Sequence, residues 1–142
     1  MDKSEESLTG RNPSSDPTRK GLPEPVNEGK GRTEVRLEIQ AVGRDLLLKI
    51  TGGEAHVGAV AVCEPPGSGA DPVPVVTVVP GHKEGPLAES CAARVAMASG
   101  RTVCAVAGIH QDDATREEIV AIVANVERAC ARLVEALPEA RR

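Results

Sequence analysis

The chain has 142 residues, with 17 Lys and Arg against 21 Asp and Glu, and it contains no Phe, Tyr or Trp. This length predicts one domain, and an acidic balance without a basic stripe argues against DNA or RNA as the main partner. Because no apolar run approaches the roughly 20 residues of a membrane span and no secretory signal is apparent, we expect a cytoplasmic protein that does not bind membranes.

The first 33 residues are rich in Ser, Pro, Gly and charge, and they hold few aliphatic side chains. Such a segment buries too little apolar surface to offset the entropy lost on ordering. We therefore predict a disordered tail over residues 1–33 and a globular domain over residues 34–142. The core of that domain must consist of small aliphatic side chains, so burial at a dimer interface would add stability.

Hydrophobic patterning predicts five strands and two helices in the globular part. The strands are residues 34–42, 46–51, 57–63, 73–79 and 101–109, and the helices are residues 86–99 and 115–137. The third strand is apolar on both faces, which is typical of a central strand. Pro74 lacks an N–H and places the fourth strand at an edge. Gly58 predicts a bulge or a close approach by another backbone or a ligand.

Local signals also mark the helix ends. Pro86 begins the first helix and Gly100 follows it, while Thr115 and Glu118 have the spacing of a capping box at the start of the second. The order β-β-β-β-α-β-α predicts an α+β fold, an antiparallel β-meander with two helices on one face. Four isolated cysteines within apolar segments are predicted to be reduced core thiols.

The three histidines of the chain, His56, His82 and His110, each follow a glycine-containing turn at a strand end. If the three turns lie at one end of the sheet, they form a single site. Otherwise each ring bonds a loop carbonyl or faces solvent. Three imidazoles could hold zinc with one open position. Because neither HxH nor HExxH is present, however, we predict no metal.

The turn Gly81–Lys83 stands just before a helix start, where free N–H groups and the helix dipole favour an anion. Lys83 adds a positive charge there. Asp112 and Asp113 precede the last helix, where carboxylates interact favourably with the dipole whether or not a ligand is present. Alternatively, one of them orients His110. Since no GxSxG elbow is present and no residue is clearly placed for acid–base chemistry, the pattern favours a binding protein over an enzyme.

Three segments carry a resemblance to a known family. They are GGEAHVGAVAV over residues 52–62, PGHKEGPLA over residues 80–88 and GIHQDDATREEI over residues 108–119. Together they resemble the prenylated-flavin chaperone LpdD-like family, the small D subunits that accompany UbiD-type decarboxylases such as gallate decarboxylase. The resemblance spans about Glu34 to Leu137. It implies a homodimer similar in fold to proteasome-assembly chaperones. The family pattern has Asn where this chain has Asp113.

The resemblance further implies a non-catalytic chaperone that binds reduced prenylated FMN and delivers it to a UbiD-like decarboxylase. It implies a cofactor site around His56, Gly81, His82, Lys83, His110 and Asp112, without assigning a contact to each. Two alternatives remain open. One is a protein-assembly chaperone without a small-molecule ligand, which would leave the three histidine turns without a role. The other is a metal-dependent hydrolase that uses the three histidines.

Overall fold

The computed structural model of the chain describes residues 21–67 and 72–138. Within these ranges lie six strands, two α-helices and a short 3-10 helix (Gly31–Thr33), which confirms the predicted α+β class. In chain order the strands and α-helices are β1 (Val26–Glu28), β2 (Val35–Val42), β3 (Asp45–Gly53), β4 (Ala59–Cys63), β5 (Val75–Val78), α1 (Gly85–Ser99), β6 (Val103–His110) and α2 (Arg116–Ala136). Neither helix is both long enough and apolar enough to span a membrane, as judged on the described residues.

The six strands form one mixed sheet in the order β1-β2-β3-β6-β4-β5. Strand β6 lies between β3 and β4, parallel to β3 and antiparallel to β4. The predicted antiparallel meander is therefore wrong, whereas the seven predicted elements occur in the predicted order, preceded by β1, which the prediction lacks. Periodicity identifies strands and their buried face but carries no information on which strands pair. Helix α1 returns the chain to the middle of the sheet, a crossover that parallel pairing requires.

Both helices cover the same face of the sheet. Helix α1 packs on β4 and β6, α2 packs on β1 and β2, and the two helices contact each other. Alternate strand residues such as Leu37, Leu48 and Ile50 point into this core and are fully buried. The core consists of aliphatic, alanine and cysteine side chains, because the chain offers no aromatic ones.

The predicted edge position of β5 is confirmed, as is the central position of β4. Helix α1 ends at Gly100, whose φ of 68° is the left-handed cap that glycine adopts readily. The four cysteines are free thiols, and three of them are buried. A hydrogen bond between Cys91 and Cys130, together with burial, raises the pKa of Cys91, in keeping with a core thiol.

Residues 26–33 belong to the folded domain, although their composition predicts disorder. Strand β1 pairs with β2, and Val26 is 9% exposed. Asn125 on α2 donates a hydrogen bond to the Thr33 carbonyl at 2.9 Å, and Arg132 pairs with Glu28 at 2.7 Å. One buried valine and a few polar contacts are too sparse for a periodicity signal. The earlier part of the predicted tail, residues 1–20, lies outside the described residues.

Candidate functional site

Three loops meet at one end of the strands, because β6 is parallel to β3. The two strands end side by side, with Gly53 opposite His110. Strand β4 starts at the same end of the sheet, where Ala59 lies opposite Ala107 of β6. The β3–β4 loop, which carries His56, must therefore cross over the end of β6. Strand β5 also finishes at this end of the sheet, and it leads directly into the loop that carries His82 and the start of α1.

The three histidines come together, as the sequence predicts if their turns share one end of the sheet. The ring centroid of His56 lies 4.9 Å from that of His82 and 6.4 Å from that of His110. Two glycines make this possible. The His56 backbone lies so close to Gly108 that a Cβ there would overlap its carbonyl. A group also lies close to Gly58, but it is the side-chain carboxylate of Glu84 and not the backbone or ligand that the sequence predicts.

His56, His82 and Glu84 form a compact polar cluster. Nε2 of His56 lies 3.2 Å from Nδ1 of His82 and 3.1 Å from Oε1 of Glu84. Nδ1 of His82 lies 3.5 Å from Oε2 of the same carboxylate. Sequence reasoning assigned no role to Glu84. The only signal was its place two residues after His82 in the PGHKE motif, and an isolated glutamate at a helix start is usually read as a solvated side chain.

His110 forms a separate pair with Asp112, in which its Nε2 lies 2.9 Å from Oδ1 of the carboxylate. This contact agrees with the interpretation that one aspartate orients His110. Asp113 has a different task, because its φ of 52° is the left-handed conformation that Asn and Asp tolerate better than other side chains.

The loop after β6 is held by a residue from the predicted tail. Arg32 donates hydrogen bonds to the carboxylate of Glu118 and to the backbone carbonyl of Asp112. The capping box is confirmed, with Thr115 and Glu118 bonding each other's backbone N–H at 3.1 and 3.0 Å. The Arg32 guanidinium and the Thr115 backbone hold the pKa of Glu118 below its ordinary value. Sequence reasoning missed Arg32.

A cavity of about 460 Å³ opens beside the histidines. Five aliphatic side chains line it, from α1, β6 and α2: Leu87, Ile109, Ile119, Ile122 and Val123. Five of the six predicted cofactor residues line it as well: His56, Gly81, His82, Lys83 and His110. Asp112 does not line the cavity, but its carboxylate contacts the ring of His110, which does. Glu84 and Gln111 are lining residues that the sequence prediction did not include.

The family of this chain follows from a comparison with known protein families. The family model of the prenylated flavin chaperone LpdD-like domain matches residues 29–138. The chain belongs to this family. No curated protein matches it. The match begins at residue 29, before the predicted domain boundary, in agreement with the packing of residues 29–33 against α2.

The two helix starts of this LpdD-like domain differ in their capacity to receive an anion. The first turn of α2 is closed by the Thr115 capping box, whereas α1 starts after Glu84 without a side-chain cap. Uncapped N–H groups and the helix dipole attract negative charge. Lys83 is exposed and lines the cavity beside this start. An anionic group of a ligand is therefore better accommodated at α1 than at α2.

Proposed function

We propose that this LpdD-like protein binds reduced prenylated FMN in the cavity beside the three histidines and delivers it, without catalysing a reaction, to a UbiD-like decarboxylase. One observation carries the proposal. In a domain of a prenylated flavin chaperone family, the cavity has one aliphatic wall and one wall of three imidazoles and Lys83. This pairing suits a ligand with an apolar ring system and prenyl group on one side and polar edges on the other.

The volume and chemistry of the cavity support this ligand. About 460 Å³ lies within the range of roughly 300–1,000 Å³ found for small-molecule sites. The flavin phosphate is assigned to Gly81, Lys83 and the uncapped start of α1. The imidazoles of His56, His82 and His110 are assigned to hydrogen bonds with the polar edges of the flavin. Asp112 holds the His110 ring in position.

The lack of aromatic side chains supports carriage over permanent retention. A flavin ring in this cavity would lie against Leu, Ile and Val side chains, without aromatic stacking. Such contacts exclude water but add no stacking energy, so release to a tighter site is favoured. We propose that the reduced cofactor is carried and not consumed, and that the protein works in the cytoplasm as a homodimer.

An anaerobic titration tests the proposal. Purified protein is titrated with reduced prenylated FMN, reduced FMN and oxidised FMN, followed by absorbance and calorimetry. Saturable binding that is selective for the reduced prenylated form is expected, followed by activation of an apo UbiD-like decarboxylase on mixing. If none of the three flavins binds, the carrier function is wrong for this protein. If binding occurs without activation of the decarboxylase, the delivery step is wrong.

Strand β5 supports a second candidate, a protein-assembly chaperone without a small-molecule ligand. This edge strand carries exposed valines, and Val75 is 72% exposed. An edge of this kind can pair with a strand of another protein. The candidate predicts that Val75→Lys abolishes partner binding while flavin affinity is nil in the wild-type protein. The flavin titration therefore separates the two functions directly.

A further inference from the structure

We infer that His56, His82 and Glu84 form a binding site for one divalent metal ion, with Zn²⁺ as the ion that best fits their donor atoms. The expectation of no metal considered only the three histidines as a set. The third ligand is instead the glutamate, and His110 lies apart with Asp112. The site stands on the geometry of the cluster alone and does not depend on the proposed flavin.

The spacing of the donor atoms suits a single metal ion. Nε2 of His56 lies 3.1 Å from Oε1 of Glu84 and 3.2 Å from Nδ1 of His82, and Nδ1 of His82 lies 3.5 Å from Oε2 of the same carboxylate. Zinc binds His nitrogen and carboxylate oxygen at about 2.0–2.2 Å, so the ligand atoms of a tetrahedral site lie about 3.4 Å apart. A single ion between them can therefore be bound by the two imidazole nitrogens and the Glu84 carboxylate.

The hydrogen bond at Nδ1 of His56 directs the other ring nitrogen toward the carboxylate. Nδ1 lies 2.9 Å from the Glu54 carbonyl oxygen, which can only accept, so Nδ1 carries a hydrogen. Nε2 is then the nitrogen that can bind a metal ion, and it lies 3.1 Å from Oε1 of Glu84. A carbonyl that fixes the ring in this way is a regular partner of metal-binding histidines.

The Glu84 carboxylate is the second observation that points to a cation. Its side chain is 11% exposed, and Oε2 is buried with His82 Nδ1 at 3.5 Å but with no hydrogen-bond partner among the described residues. Burying a carboxylate oxygen without a partner is costly. Gly58 nevertheless leaves room for this carboxylate, because any Cβ at position 58 would collide with it. A metal ion would satisfy Oε2 and offset the charge.

Three protein ligands leave a position open on the ion, as in zinc sites that bind an external group. All three ligand residues also line the cavity, so the open position faces it. An anionic oxygen of a ligand can complete the coordination there. For the flavin phosphate proposed above at the start of α1, which rests on the proposed function, the cation would offset the charge of the nearby Glu84 carboxylate.

Calorimetric titration of the metal-stripped full chain with ZnCl₂, without any flavin, tests the site. One ion per chain is expected to bind the wild type. Glu84→Gln keeps the shape of the side chain and is expected to weaken binding by at least about 100-fold, since even indirect partners of metal ligands are typically worth about 10–100-fold. Glu89→Gln, at an exposed position on α1, is the matched control and is expected to bind as the wild type.

Two further measurements separate this site from metal bound at a cysteine or at the protein surface. Co²⁺ should give the visible absorption of a tetrahedral nitrogen and oxygen site without a thiolate charge-transfer band, which excludes the half-buried Cys104 as a ligand. Zn²⁺ should raise the melting temperature of the wild type and not that of Glu84→Gln. The inference is overturned if the wild type takes up no metal, if Glu84→Gln binds equally well, or if the thiolate band appears. None of these outcomes requires the flavin proposal to hold.

Discussion

The carbonyl of His56 lies directly against the α-carbon of Gly108, at the point where the β3–β4 loop crosses strand β6. A Cβ at position 108 would overlap the backbone carbonyl and also crowd the His56 nitrogen. The position of the His56 ring therefore depends on the absence of a side chain far along the chain, on another strand. This contact joins the fold to the site, because the loop that carries His56 crosses β6 here.

Gly108→Ala is expected to lower the free energy of unfolding by about 1–3 kcal/mol, since the new methyl group must displace the backbone of the crossing loop. The same displacement should move His56 and weaken any ligand that contacts it. Denaturant unfolding measures the first effect and calorimetry the second. Gly67→Ala is the control, because no atom of the described residues lies within 4 Å of a Cβ at that position. Equal stability of the two variants would contradict the close contact.

Lys83→Ala and His110→Ala are each expected to weaken binding of reduced prenylated FMN by roughly 10- to 100-fold, the usual worth of a charged hydrogen bond. Both side chains are exposed and lie in loops or at a strand end, so the melting temperature should stay nearly unchanged. Lys30→Ala, an exposed lysine that does not line this cavity, is the matched control. If both variants bind as the wild type does, the flavin site lies elsewhere.

Residues 21–33 are expected to contribute to stability. A chain that begins at Glu34 loses the pairing of β1, the burial of Val26 and the contacts of Arg32. Relative to a chain that begins at Gly21, it should be less stable by about 2 kcal/mol or more, since burial of one valine alone is worth about 1.5–3 kcal/mol. Thermal unfolding of the two chains gives the comparison. Identical melting temperatures would show that β1 adds nothing.

Acid sensitivity should depend on Glu118. Its pKa in the folded protein lies below the ordinary value of 4.5, because Arg32 and the Thr115 backbone stabilise the charged form. The carboxylate thus stabilises the fold above about pH 4.5, and that contribution is lost as the pH falls through the lower, folded-state pKa. Glu118→Gln keeps a residue suited to the capping box but removes the charge. Unfolding measured from about pH 6 to about pH 3 should show a shallower loss of stability in the variant.

Local signals in the sequence predicted local structure well. The capping box of Thr115 and Glu118, the left-handed Gly100 after α1 and the edge position of β5 each follow from a rule that involves a few neighbouring residues. The close approach at Gly58 was predicted for the same reason, although not the identity of the group that approaches. Each of these features depends on backbone chemistry within a few residues.

Long-range pairing was beyond such reasoning. The insertion of β6 between β3 and β4 depends on a helix crossover, and both an antiparallel and a mixed sheet satisfy the same hydrophobic pattern. Glu84 and Arg32 were missed because a charged side chain in a polar stretch has the same sequence signature whether it is solvated or bonded to a distant partner. The convergence of the histidines was stated as a condition, and the parallel pairing of β3 and β6 is what fulfils it.

The place of β6 in the sheet also has a consequence for biosynthesis. Strands β3 and β4 are synthesised before β6. The position between them in the sheet can be occupied only after β5, α1 and β6 itself have left the ribosome. Until then the β3–β4 loop has no strand to cross, and none of the three histidine turns has its neighbours. Non-local pairing of this kind forms late in folding. A nascent or partly unfolded chain therefore cannot capture a ligand, and occupancy of the cavity reports a completed fold.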